Sequence, residues 1–129
     1  MKQEKKVLII EDDQALQETI SNLLSLEGFT VYQAKEGDSG ITMAKNHLPD
    51  VIVCDIMMPG FTGLDVLKKL QTDEKTSTIP FIFLTAKAEL KDVRNGMLLG
   101  ADDYLTKPFD NEDLLQSINL RLNKKDRII

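Results

Sequence analysis

The sequence has no tryptophan, one cysteine, one histidine and no long apolar run. The lone Cys54 cannot form a disulfide within the chain, and its place inside an apolar stretch predicts a buried, inert thiol. The single histidine, His47, lies beside a Leu-Pro turn without a cluster of ligands, so we expect a surface loop residue. The first apolar stretch, 7–10, is too short for the core of a signal peptide, which makes the cytoplasm the expected compartment.

Length and charge limit the class of protein and its partners. The 129 residues, 42% hydrophobic and 29% charged, predict a single globular domain that neither spans a membrane nor is disordered. The net charge of -5 argues against direct binding to nucleic acid or to anionic membranes. Proteins and cations are therefore the expected partners.

Apolar stretches alternate five times with segments of helical periodicity. The pattern predicts strands over 7–10, 29–32, 51–55, 81–84 and 104–105. It predicts helices from Gln14, after Gly37, from about Gly63 or Leu64, over about 89–98 with Met97 facing inward, and over about 111–124. Five β-α units imply a parallel sheet with helices on both faces, in one of a few doubly wound arrangements.

The third predicted strand ends in a carboxylate, Asp55, before the turn at Pro59 and Gly60. The carboxyl ends of parallel strands are the edge at which α/β proteins bind their ligands. The next predicted helix starts too far along the chain for Asp55 to cap it. A functional role for Asp55 is therefore favoured over a structural one.

Other polar residues also follow predicted strands: Glu11, Asp12 and Asp13 the first, Thr85 the fourth and Lys107 the fifth. In a parallel sheet these positions share one edge, so we expect them to converge. Two carboxylates ~5 Å apart repel by ~3 kcal/mol at an effective dielectric constant of ~20, so the acids require a cation. A partly open, all-oxygen site favours Mg²⁺ or Mn²⁺. For Asp13, a cap on the first helix is an equally supported alternative.

Carboxylates, a metal, the Lys107 ammonium and the Thr85 hydroxyl are together the parts of a phosphoryl-transfer site. A carboxylate can accept a phosphoryl group as an acyl phosphate. Asp55, nearest the centre of the sheet edge, is the candidate acceptor.

Four motifs in this order resemble the receiver domain of bacterial two-component response regulators, of the chemotaxis-regulator-like kind. Their sequences are VLIIEDD at 7–13, DIMMPG at 55–60, LTAK at 84–87 and GADDYLTKPF at 100–109. The resemblance covers about 5–124, which makes 1–129 one receiver domain with 125–129 as a tail or the start of a linker. It implies a flavodoxin-like α/β fold: a doubly wound, five-stranded parallel sheet of order 2-1-3-4-5 with five helices on both faces.

The resemblance implies that Asp55 is the phosphoacceptor, loaded from a phosphohistidine of a sensor histidine kinase or phosphotransfer protein. Asp12 would hold Mg²⁺ directly, as would Asp55 itself, and Glu11 would hold it through water; Mn²⁺ would substitute. Met57 would give its backbone carbonyl to the metal and contribute to phosphoryl binding. Met57 and Lys87 would also influence how water reaches the acyl phosphate.

The remaining implied roles concern phosphoryl binding and switching. Thr85 and Lys107 would bind the phosphoryl oxygens with the Ala86 amide, and Lys107-Pro108 would be a cis peptide. Thr85 would then move toward the phosphoryl group and Tyr104 would swing inward, which reshapes the face of the fourth helix, fifth strand and fifth helix. That face would control an output domain or partner protein, and a phosphorylation-dependent homodimer is a further expected partner.

Three other classes compete with this interpretation. Haloacid dehalogenase-like phosphatases carry an Asp-x-Asp motif whose second aspartate is the general acid. Here Met57 stands two residues after Asp55, so no turnover of outside substrates is expected. A nucleotide-binding module needs a glycine-rich loop after the first strand, where this chain has acids. A pseudo-receiver scaffold would lack an acid, the threonine or the lysine, and none is missing.

Overall fold

The computed structural model describes residues 4–86 and 90–126, apart from the side chains of 124–126. Its strands are β1 (Lys6–Ile10), β2 (Thr30–Ala34), β3 (Val51–Asp55), β4 (Phe81–Thr85) and β5 (Asp103–Thr106). Its helices are α1 (Gln14–Leu26), α2 (Gly37–His47), α3 (Gly63–Gln71), α4 (Leu90–Leu99) and α5 (Asn111–Asp126). The predicted alternation of strands and helices is confirmed.

The strands form one parallel sheet in the order β2-β1-β3-β4-β5, which confirms the predicted topology. The central strands β3 and β4 are buried at every position, as continuous apolar runs between two helical layers require. β2 lies at an edge and is less buried. It starts one residue later than predicted because the Phe29 amide bonds the Leu24 carbonyl at the end of α1, while Thr30 is the first residue in register with β1.

Two apolar layers cover the two faces of the sheet, because successive strand residues point to opposite sides. One layer joins the sheet to α2, α3 and α4 through Ala44, Val66, Leu67, Leu70 and Val93. The other joins it to α1 and α5 through Ile20, Leu24, Leu114, Ile118 and Leu122. The sheet is therefore doubly wound.

Two local predictions are wrong. Met97 is 39% exposed and does not face inward; Gly96 does, because the Phe83 ring leaves no room there for a side chain. His47 is the last residue of α2, not a loop residue, and its ring stacks on Tyr32 at 4.1 Å between centroids. The predictions for Lys87 and for a helix start at 89 lie outside the described residues.

At the carboxyl terminus, α5 continues to Asp126, and 127–129, the rest of the predicted tail, lie outside the described residues. Over the part of the chain that the structure describes, no helix combines the length and the apolar character needed to cross a membrane.

Candidate functional site

The predicted site residues lie at the carboxyl edge of the sheet. Glu11 directly follows β1, Asp55 is the last residue of β3, Thr85 is the last of β4, and Lys107 directly follows β5. The amide of Lys107 donates to the Thr85 carbonyl at 2.7 Å, which ties the ends of β4 and β5 together. The parallel topology thus brings together residues from across the chain, as predicted.

Three carboxylates converge at this edge. Glu11, Asp12 and Asp55 each offer an oxygen, and these atoms lie within 4.8 Å of one another. Glu11 is fully buried and Asp55 is 5% exposed, whereas Asp12 faces solvent. An all-oxygen set with one open side suits a hard divalent cation that keeps part of its water shell. The donor chemistry of these residues therefore fits Mg²⁺.

Lys107 bridges the two buried acids. Its Nζ donates to Glu11 Oε1 at 2.9 Å and to Asp55 Oδ2 at 3.2 Å. The other Asp55 oxygen, Oδ1, accepts the amide of Met57 at 3.2 Å. The Met57 side chain is itself 51% exposed beside the site. Asp55 is thus held at both oxygens, by Met57 in the loop after β3 and by Lys107 in the loop after β5.

Burial perturbs all three ionisable groups of this cluster. Burial raises the pKa of Glu11 to about 7, against the opposing hydrogen bond from Lys107. The pKa of Asp55 is also raised, again by burial first and against the Lys107 charge. Burial disfavours the charged form of Lys107, but its contacts with Glu11 and Asp55 outweigh this, and its pKa is raised. A divalent cation would favour the ionised form of both acids.

Asp13 has a structural role. Its carboxylate accepts the Leu16 amide at 3.2 Å and caps the amino end of α1. Its own amide donates to Glu11 Oε2 at 3.1 Å, so the cap also orients the buried acid. The alternative that makes Asp13 a helix cap is therefore confirmed.

Thr85 is fully buried, and its hydroxyl donates to the Ala86 carbonyl at 3.1 Å. Tyr104 lies on β5 in register with Phe83, and its side chain is 40% exposed. The expected cis peptide between Lys107 and Pro108 is present.

Cys54 precedes the acceptor in β3 and is fully buried, as predicted. Burial raises the pKa of its thiol well above the usual range, so the thiol stays neutral.

The sequence patterns did not single out Gln17, which contacts the site from α1. It is 3% exposed, and its side-chain amide donates to the Glu11 carbonyl at 3.2 Å. A signal was present, because Gln17 shares one helical face with the apolar residues Ile20 and Leu24, where it and Ser21 are the buried polar residues.

Comparison with known proteins identifies relatives along nearly the whole chain. A family model described as the response regulator receiver domain matches residues 7–119. The DNA-binding dual master transcriptional regulator RpaA of Synechocystis is 42% identical over 123 residues, which cover 95% of this chain and 51% of that protein. The transcriptional regulatory protein DltR of Streptococcus agalactiae is 42% identical, with coverage of 95% and 54%. The chain spans about half the length of these curated relatives.

Solved structures are similar over the same range. A response regulator receiver domain protein from Clostridium thermocellum superposes with a TM-score of 0.91 at 29% identity, covering 97% of this chain and 99% of that one. The receiver domain of a sensor histidine kinase from Pseudomonas aeruginosa gives a TM-score of 0.86 at 26% identity, with coverage of 94% and 99%. That crystal structure has a magnesium ion coordinated in its active site cleft.

Proposed function

The chain belongs to the response regulator receiver domain family, and we propose that Asp55 is the residue through which it takes part in phosphorylation-dependent two-component signalling. The observation that carries this proposal is the pairing of Lys107 with Glu11 and Asp55, which places a mobile positive charge between two buried acids at the edge of the sheet. The phosphoryl donor would be a phosphohistidine on a sensor histidine kinase or phosphotransfer protein.

The proposed reaction forms an acyl phosphate. An oxygen of Asp55 attacks the phosphorus, the phosphorus–nitrogen bond breaks, and the bond electrons stay with the imidazole nitrogen, which takes up a proton. The hydrogen bond from Met57 and the ion pair with Lys107 orient the Asp55 carboxylate at both of its oxygens before attack. Hydrolysis of the acyl phosphate then breaks the bond to the Asp55 oxygen, releases inorganic phosphate and returns the free carboxylate. The proposed phosphoryl acceptor is thus the chain itself, and no turnover of a further substrate is proposed.

The proposed metal site consists of Glu11, Asp12 and Asp55, whose oxygens lie within 4.8 Å of one another. Exposed Asp12 would ligate Mg²⁺ directly, buried Glu11 through water, and Met57 would add its backbone carbonyl. When bound, Mg²⁺ would neutralise the charge that develops on the transferred phosphoryl oxygens. Mn²⁺ has the same preference for oxygen ligands and is expected to substitute.

Lys107 and Thr85 would bind the phosphoryl oxygens once the acyl phosphate forms, with the Ala86 amide as a third donor. The Lys107 ammonium already lies 3.2 Å from Asp55 Oδ2, so a short side-chain movement brings it to a phosphoryl oxygen. The Thr85 hydroxyl would exchange its bond to the Ala86 carbonyl, 3.1 Å long, for one to the phosphoryl group.

The same exchange would drive the switch. As Thr85 moves toward the phosphoryl group, the 40% exposed Tyr104 would turn inward and change the face formed by α4, β5 and α5. Moving a two-state protein from 1:99 to 99:1 requires ~5.5 kcal/mol of differential interaction. Two or three charge-assisted hydrogen bonds, at ~1.5–3 kcal/mol each, together with the metal supply that amount.

The proposed partner on the output side is a further domain or a separate protein that reads the α4-β5-α5 face. RpaA and DltR are about twice as long as this chain and are transcriptional regulators, which supports an output in transcription. A homodimer formed through this face on phosphorylation is part of the proposal. Cytoplasmic localisation is part of the proposal too.

Intact-mass spectrometry after incubation with Mg²⁺ and acetyl phosphate tests the proposal. We expect one phosphoryl adduct that EDTA abolishes and that is absent from Asp55→Asn. Asp38→Asn is the matched control, because Asp38 is an exposed acid in the first turn of α2 and should leave the adduct unchanged. A full yield of adduct in Asp55→Asn, or no adduct in the wild type, would overturn the proposal; the second result favours a binding scaffold.

A further inference from the structure

Gln17 is a buried polar residue on the apolar face of α1, which also carries Ile20 and Leu24. It is 3% exposed, and burying an amide without hydrogen bonds is strongly unfavourable. The amide must therefore have partners. Its nitrogen Nε2 donates to the Glu11 carbonyl at 3.2 Å and to the Ala34 carbonyl at 3.0 Å.

Both partners of Gln17 Nε2 are carbonyl oxygens, which only accept hydrogen bonds, so the side-chain nitrogen must be the atom that faces them. The two hydrogens of one NH₂ group satisfy both acceptors. These carbonyls lie where the ladder between β1 and β2 ends, at the pair Ile10 and Ala34. Beyond that pair the Glu11 amide still donates to Ala34 at 3.0 Å, which makes the Ala34 carbonyl a shared acceptor.

The Glu11 carbonyl belongs to the peptide unit that joins Glu11 to Asp12. Because a peptide unit is planar, fixing its carbonyl oxygen fixes the direction in which the chain enters Asp12. The Glu11 side chain is held separately, by Lys107 at Oε1 and by the Asp13 amide at Oε2. Asp12 is exposed, and Gln17 is the side chain that holds the peptide leading into it.

We propose that Gln17 is a positioning residue for the acidic cluster, which holds the peptide between Glu11 and Asp12 in the orientation that a divalent cation requires. This inference rests on the proposed metal site and adds a residue that contacts neither metal nor phosphoryl group. Groups that orient metal ligands typically contribute about 10- to 100-fold to metal affinity. Gln17 acts through backbone, so the lower end of that range is expected.

Two variants separate the hydrogen bonds of Gln17 from its volume. Gln17→Met keeps the size of the side chain and removes both donors. Gln17→Asn keeps the amide but shortens the reach by one methylene, so it cannot bond both carbonyls. Ser21→Ala is the matched control, because Ser21 lies one turn further on the same buried face of α1 and its hydroxyl has no hydrogen-bond partner among the described residues.

The measurement is Mg²⁺ affinity by calorimetric titration, at a temperature where denaturant unfolding shows every variant fully folded. In addition, NMR follows hydrogen–deuterium exchange of the backbone amides of Glu11, Asp12 and Asp13 in EDTA. We expect Gln17→Met and Gln17→Asn to raise the Kd for Mg²⁺ about tenfold and to speed exchange of these amides, with Ser21→Ala unchanged in both.

A purely structural role for Gln17 would lower the free energy of unfolding without altering the Kd of the folded protein. A wild-type Kd in both Gln17 variants would therefore overturn the inference while leaving the proposed function intact. Wild-type protein that binds no Mg²⁺ at all would overturn the metal site and this inference together.

Discussion

Lys107 Nζ lies 2.9 Å from Glu11 Oε1, although the two residues are 96 positions apart in the chain. The same ammonium is 3.2 Å from Asp55, so one positive charge serves two buried carboxylates. Two acids with one counter-ion leave a net negative site. This arrangement favours the binding of a cation, and it makes the stability of the metal-free protein depend on Lys107.

Replacing Lys107 with methionine should destabilise the metal-free protein. Glu11 and Asp55 would then be buried without their counter-ion, and breaking a fully buried ion pair costs ~3–5 kcal/mol. Because the Lys107 side chain is 27% exposed, a loss of about 2 kcal/mol is expected. Urea unfolding in EDTA near pH 8 measures it.

Lys107→Arg is the control for this experiment, because it keeps the positive charge and should recover most of the lost stability. Excess Mg²⁺ should also reduce the difference between Lys107→Met and wild type, since the cation takes over the neutralisation. An equal loss in EDTA and in Mg²⁺ would show that the destabilisation comes from lost packing and not from charge.

In EDTA, the free energy of unfolding should fall as pH rises from about 4.5 to about 8. Burial raises the pKa of Glu11 from 4.5 to about 7, so the folded state binds this proton more tightly than the unfolded state. The resulting stabilisation is complete below about pH 4.5 and is lost as pH rises through about 7. At ~1.4 kcal/mol per pKa unit the loss approaches about 3 kcal/mol.

Glu11→Gln removes this titrating group and should reduce the pH dependence, as measured by urea unfolding across the same range. Asp55, whose pKa burial also raises, supplies the slope that remains. Asp38→Asn removes an exposed acid and should keep the wild-type slope. A Glu11→Gln profile that runs parallel to wild type would mean that another group causes the pH dependence.

The fold and most of the site could be predicted because both follow from patterns local in sequence. Continuous apolar runs mark strands covered on both faces, and polar residues at their ends must converge once the strands are parallel. Asp55, at the end of fully buried β3, illustrates this. Its position alone separated it from a helix-capping acid, and the structure shows that α3 is capped by Thr62.

Features that depend on partners distant in the chain could not be predicted in the same way. Met97 lies on a helix with apolar residues around much of its circumference, and only the Phe83 ring decides that Gly96 faces the sheet. The stacking of His47 could not be predicted because its partner, Tyr32, belongs to another element. Gln17 donates its hydrogen bonds to backbone carbonyls, and because every residue has one, the sequence does not indicate which carbonyls Gln17 contacts.

Gly63→Ala should destabilise the protein even though alanine favours helices over glycine by up to ~1 kcal/mol. A methyl group at this first residue of α3 would collide with the Asp55 carbonyl oxygen and lie 2.9 Å from Ile56 Cα. Overpacking of this kind costs ~1–3 kcal/mol, and here it would displace the backbone of Asp55, the proposed phosphoacceptor. Urea unfolding and the rate of adduct formation from acetyl phosphate should both show a loss.

Gly60→Ala is the contrasting variant for this experiment. Gly60 has φ +77°, and nothing lies within 4 Å of an added methyl group. Its cost is backbone strain alone, about 1 kcal/mol. Adduct formation as slow in Gly60→Ala as in Gly63→Ala would contradict displacement of Asp55 as the cause.

Phosphorylation should reduce the solvent exposure of Tyr104, and only when Thr85 carries a hydroxyl. The chain has no tryptophan and two tyrosines, so a Tyr32→Phe background leaves Tyr104 as the one strong fluorophore. Tyr104 is 40% exposed, and turning inward should lower its quenching by iodide when Mg²⁺ and acetyl phosphate are added.

Thr85→Val matches the shape of the buried threonine but cannot donate a hydrogen bond to a phosphoryl oxygen. We expect mass spectrometry to detect the phosphoryl adduct in this variant while iodide quenching of Tyr104 stays unchanged. Thr85→Ser should restore the response. An equal fall in quenching in Thr85→Val would separate Tyr104 from Thr85 and refute the coupled switch.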